Sequence, residues 1–144
     1  TCKAAATDNG DIVFGLTKIP GACLRNSSSL LKSVVMLDTD DNQVGVDLWF
    51  FKKNKNVLGT LGDVVNASDD AIKANMPLGC VTIPDLDSGV GDYVLGTILT
   101  KTGIDLVIDS DPADEGNIYV AGIGTATKTY TASGIQLTFG FEVL

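Results

Sequence analysis

Hydrophobic and polar positions alternate with a period of two along most of this chain. The C-terminal run is the clearest case: Ile135, Leu137, Phe139, Phe141 and Val143 alternate with Gln136, Thr138, Gly140 and Glu142, the pattern of a strand with one buried face. In VGVDLWFF, residues 44 to 51, Val46, Leu48 and Phe50 take one face while Asp47, Trp49 and Phe51 take the other, so bulk stands on both sides. A strand of that kind is central in its sheet or meets another protein. Further strands are predicted at DIVFGLTK from Asp11, LLKSVVMLD from Leu30, LGCVTI from Leu78, DYVLGTIL from Asp92, GIDLVI from Gly103 and NIYVAGIG from Asn117. The clusters DTDDNQ, KKNKN, PDLDSGVGD, DSDPADEGN and TASG separate them as turns. One segment, NASDDAIKANMP, reads as a helix: Asn66 or Ser68 can cap it, Asp69 and Asp70 suit its first turn, and Pro77 ends it.

About eight short strands and one short helix predict an all-β chain, a single-domain antiparallel β-sandwich or jelly roll with an extended N-terminal arm. Residues 1–29 are expected to form the arm and a linker, with one candidate strand, and residues 30–144 the β-sandwich domain. A chain of 144 residues can bury a real core. No apolar run reaches the length of a membrane-spanning helix, and TCKAAATDNG at the N-terminus lacks the apolar stretch of a signal peptide. The expectation is a soluble chain made in a cytosol.

Charge narrows the chemistry. The formal net charge is −8, and every carboxylate except Glu115 and Glu142 is aspartate, which favours turns and caps over helices. Arginine occurs once, at Arg25, and histidine not at all. Phosphate binding needs a clustered basic surface, so nucleic acid is not an expected partner. Without histidine there is no Ser-His-Asp or Cys-His arrangement and no ordinary zinc site. The acids sit in turns, where hydration and backbone capping account for them, and no enzymatic activity is expected. Cys2, Cys23 and Cys80 lie far apart with no CxxC spacing, so Cys23 and Cys80 are read as reduced and mostly buried.

Two turns tempt a calcium reading. DTDDNQVGVDLW begins like an EF-hand loop with Asp38, Asp40 and Asn42, but Gln43 stands where glycine is needed and Trp49 where the bidentate Glu belongs. DSDPADEGN departs in the same way, with Ala113 at a ligand position and Asp114 where the glycine should be. No cofactor is expected. A nonstandard Ca²⁺ site at Asp38/Asp40 or Asp109/Asp111 is the one metal arrangement left open.

The aromatic strand at Trp49 and Phe51 runs into a basic tip, Lys52, Lys53 and Lys55. These five residues are the candidate interaction surface: an aromatic patch to anchor and lysines to pair with an acidic partner. The alternative is a core strand ending in a solvated hairpin tip.

The order SVVMLDTDDNQVGVDLWFF, VVNASDDAIKANMPLGCVTI and DLVIDSD…NIYVAGIGTATKTYTASGIQLTFGFEVL resembles the small capsid decoration, or cement, proteins of tailed bacteriophages. The motifs map onto Asp38 to Gln43, Leu48 to Phe51, Ser68 to Asn75, Leu78 to Ile83, Ile118 to Ile123, Thr129 to Thr131 and Leu137 to Phe141, within residues 33–144. KKNKN replaces the more usual acidic or neutral, proline-containing tip of that family. The resemblance implies a non-enzymatic virion protein, made in the bacterial host cytoplasm and seated on the outer capsid surface. There it would stabilise contacts between major capsid subunits as a homo-oligomer, a trimer by the family's pattern. Two alternatives stand beside it: a tail or baseplate structural protein, and a carbohydrate-binding β-sandwich whose platform would be Trp49, Tyr93, Tyr119 and Tyr130.

Overall fold

A computed structural model describes residues 1–24 and 27–144. Arg25 and Asn26, inside the expected linker, lie outside the described residues. The strands are β1 (Ala6–Thr7), β2 (Ile12–Ile19), β3 (Ser28–Asp38), β4 (Val46–Phe51), β5 (Pro77–Thr82), β6 (Asp92–Tyr93), β7 (Gly96–Lys101), β8 (Leu106–Asp109), β9 (Ile118–Gly124), β10 (Lys128–Thr129) and β11 (Ile135–Val143). Helix α1 (Asp69–Asn75) and a 3-10 turn (Pro112–Asp114) complete the secondary structure of the described residues. Every strand pairing is antiparallel.

Four strands, in the order β2-β9-β4-β5, make one sheet. The second sheet runs β11-β3-β7-β6, with β8 also pairing to β3, and β1 and β10 form a small two-stranded ladder. The two large sheets face each other as a sandwich, and the main core lies between them. Val46, Leu48 and Phe50 of β4, Ile118 and Val120 of β9 and Val13 and Phe14 of β2 meet Leu31, Val34 and Met36 of β3, Leu99 of β7 and Ile108 of β8. The expected all-β sandwich is therefore what forms, and the period-two positions of β4 are the ones it buries.

Strand β3 needs one departure from strict alternation. Leu31 and Val34 both point into the core, which a simple two-residue period forbids. The register against β11 shifts between Gly140 and Phe141, which face Ser33 and Leu31, so Lys32 is the extra residue of a β-bulge. At that point β3 also changes partner, from β8 at Ser28 to Leu31 to β7 at Val34 to Asp38. Lys32, turned outward, pairs with Asp105 in the connection between those strands.

The predicted helix forms with Ser68 as its cap, its side chain accepting from the Ala71 N–H at 3.2 Å. Asp69 and Asp70 occupy the first turn, favourable beside the positive end of the helix dipole. Met76 closes it in the left-handed conformation, φ 56°. DYVLGTIL, expected as one strand, is a hairpin: Tyr93 pairs Gly96 and the chain turns at Val94 and Leu95.

Of residues 1–29, expected as arm and linker with one candidate strand, the described ones carry β1, the start of β3 and β2, the candidate strand at DIVFGLTK, which is a full member of the four-stranded sheet. Cys2, Val13, Phe14, Ala22 and Cys23 lie in the main core. The polar composition of TCKAAATDNG hides this because the segment is fixed by backbone pairing: the Lys3 N–H donates to the Val13 carbonyl and the Cys2 N–H to the Ala132 carbonyl. Cys23 is buried as expected, whereas Cys80 is exposed on the edge strand β5. Among the described residues no helix is long and apolar enough to cross a membrane.

Candidate functional site

Strand β4 lies between β9 and β5, so its outer face is covered only if something packs over the sheet. Residues 52–68 and α1 do so. Phe51 is 2% exposed and sits in a second apolar cluster with Ile12, Leu58, Ala121 and Ile123, against which Leu16, Trp49, Val65 and Ile72 pack. Of the five candidate surface residues, Phe51 is therefore a buried side chain and Trp49 a half-buried one. The physical reason is that bulk on the outer face of β4 is met by the chain's own roof.

Asn75, the last residue of α1, ties that roof down. It is fully buried; its Oδ1 accepts the N–H groups of Lys55 and Asn56, each at 2.9 Å, and its Nδ2 donates to the Asn56 carbonyl at 2.8 Å. The Lys53 N–H donates to the Asn75 carbonyl and the Lys52 N–H to that of Met76. The end of the helix thus satisfies the loop, and the loop satisfies the helix carbonyls that have no partner within it.

The basic tip meets the second acidic turn. Lys52 Nζ stands 2.6 Å from Asp109 and Lys53 Nζ 2.9 Å from Asp111. Both pairs are partly exposed, so each contributes little to stability, but together they fix where the loop lies. Lys55 is exposed and has no salt-bridge partner among the described residues. The same roof presents Val57, 77% exposed, and Val64, 57% exposed, with Leu61 lining a groove with Val57, Leu16 and Leu58.

The first acidic turn is occupied with its own backbone. Asp38 is buried, and its two oxygens accept the N–H groups of Asp40 and Asn42 at 2.9 Å each. Asp40 accepts from the Thr131 N–H at 2.8 Å, and Asp41 from the Thr97 hydroxyl at 2.8 Å. Asp111 also accepts from the Ala113 N–H, capping the 3-10 turn. Among the described residues, no three or more cysteine and carboxylate side chains are grouped to hold a metal ion.

Burial pushes the Asp38 carboxyl above its ordinary value, against the backbone N–H bonds that pull it down. The hydrogen bond from Lys53 holds Asp111 below its ordinary value. The signs are opposite. Protonating Asp38 favours the folded chain, so its contribution weakens as pH rises from the ordinary carboxylate range through its folded value; that of Asp111 is present above the ordinary range and is lost as pH falls. Carboxyl-carbon NMR titration is expected to place Asp38 above and Asp111 below the ordinary aspartate value. Equal midpoints would contradict these environments.

The four aromatic residues of the sugar-platform alternative are not brought together. Tyr130 is buried in the main core, Trp49 packs under the roof, and Tyr93 belongs to the other sheet. Tyr119 donates its hydroxyl to Asp114 at 2.6 Å, a bond that raises its pKa to about 12.

What sequence reasoning missed is the exposed aliphatic set Val57, Leu61 and Val64. Its signal is faint: scattered apolar residues in a Gly- and Asn-rich segment with no period. Comparison of the chain with family models, with curated proteins and with solved structures finds no match.

Proposed function

We propose that the chain is a non-enzymatic structural virion protein that binds the outside of an assembled phage capsid and stabilises contacts between major capsid subunits. The observation that carries this reading is the roof over β4. It exposes Val57, Leu61 and Val64, and also Lys55, which has no salt-bridge partner among the described residues, and exposed aliphatic groups on the same covering segment as an unpaired charge are what a protein contact covers. The resemblance of residues 33–144 to capsid decoration proteins supplies the partner class. The capsid-facing residues of this reading are Lys55 and the aliphatic set, while Trp49 and Phe51 hold the surface from beneath and Lys52 and Lys53 anchor its edge.

A protein that binds only the assembled lattice stabilises it by mass action. Shells lacking the chain are therefore expected to open at a higher temperature once it is added in excess. Val57→Asp, at a side chain already in solvent, should abolish most of that shift while leaving the chain's own unfolding unchanged. Equal opening temperatures with and without the chain would contradict the proposal.

A further inference from the structure

Strands β2 and β11 are terminal strands of their respective sheets, and they flank the same apolar groove, of about 360 Å³. Phe14, Val120, Ile135, Leu137 and Phe139 line it, with Thr17 and Lys18 at the rim. The sandwich is unfinished here. Ile135, Leu137, Phe139 and Phe141 point inward from β11 yet remain half-buried, whereas Leu31, Val34 and Met36 on the adjacent β3 are fully buried. Strand β11 carries no lysine, no proline and no charge before Glu142, so the part of its free edge beside the groove lacks the charged side chains that guard against pairing with another chain.

At the opposite edge of the same sheet stands the β6–β7 hairpin. Its two turn residues, Val94 and Leu95, are 94% and 76% exposed. Two-residue hairpin turns favour Asn-Gly or Asp-Gly with positive φ; here both positions are aliphatic and neither has positive φ. Turn chemistry does not select these residues, and solvent disfavours them.

We propose that the Val94–Leu95 tip of one copy seats in the β2/β11 groove of the next. The match rests on three properties of the one chain. Tip and groove are both apolar. The groove has room for roughly a dozen water-sized groups at ~30 Å³ each, more than the side chains of one valine and one leucine contain. Charge agrees as well: Lys18 on the groove rim and Asp92 beside the tip are both exposed, and neither has a salt-bridge partner among the described residues. Because tip and groove lie at opposite edges of a sheet, the contact is head-to-tail. It closes into a ring where the rotation between copies allows and otherwise continues as a filament. This goes beyond the shell reading and is tested without shells, so either can fail alone.

The test is sedimentation velocity of the purified chain over a concentration series. The unaltered chain is expected to reach a mass that is a multiple of 15.0 kDa. A tip variant, Val94→Asp with Leu95→Asp, and a rim variant, Thr17→Arg, should each sediment as monomers with unchanged circular dichroism. Mixed together, they should form a one-to-one pair and nothing larger, since one keeps its groove and the other its tip. A monomer at every concentration of the unaltered chain, a tip variant that still assembles, or variants that do not pair on mixing would each overturn the proposal.

Discussion

Replacing Phe50 with alanine is expected to lower stability by about 3–5 kcal/mol, and the melting temperature by roughly 10 °C. Phe50 is fully buried at the centre of the four-stranded sheet, facing Val120 of β9 and Gly79 of β5. Its ring meets Phe139 of β11 edge-on, centroids 6.0 Å apart at 80°. Truncation removes the transfer energy of the ring and leaves a cavity that neighbouring backbone cannot fill, because strands held on both sides do not collapse inward. It also frees Phe139, which stacks on Phe141 along the edge strand. Phe50→Leu, which keeps most of the volume, should cost less than half as much. Urea unfolding of the two variants checks this; a loss under ~1 kcal/mol for alanine would mean that the two sheets are not joined through this ring.

Asn75→Ala is expected to cost about 3 kcal/mol, since it leaves two N–H groups and a carbonyl of Lys55 and Asn56 without their partner. The loss is local as well as global. With the loop released, the cluster of Phe51, Leu58 and Ile123 loses its cover, and amide exchange across residues 53–58 should speed up at least about a hundredfold while β3 stays protected. Exchange that rises equally in both places would show that Asn75 supports the whole fold and not the roof.

The parts legible in the sequence are those set by local rules. The alternation from Ile135 to Val143 becomes β11 with the same bounds, and Ser68, the paired aspartates and Pro77 mark the helix, because capping and periodicity act within a few residues. Lys32 was not legible as a bulge, since a bulge is defined by the register of β3 against β11, a long-range pairing that the local pattern does not contain. Val94 and Leu95 lacked turn residues, so the hairpin between β6 and β7 read as continuous strand.

The candidate surface divides along the same line. Bulk on both faces of VDLWFF was evident, and the choice between a central strand and a contact surface was not. The cover for Trp49 and Phe51 comes from a segment with no period of its own, fastened by one buried asparagine. Likewise the basic tip and the turn DSDPADEGN were both recognisable as charged loops. That Lys52 meets Asp109 and Lys53 meets Asp111 depends on how the two sheets stack, which neither loop encodes.

The measurement that tests the functional account most directly is co-sedimentation of the chain with expanded shells that lack it, titrated to saturation beside Lys55→Glu and Val57→Asp. Saturable binding at a fixed number of copies per capsid subunit is expected, weakened at least about tenfold by either substitution. Shells that bring down no chain at any concentration, or binding that both variants leave unchanged, would contradict it.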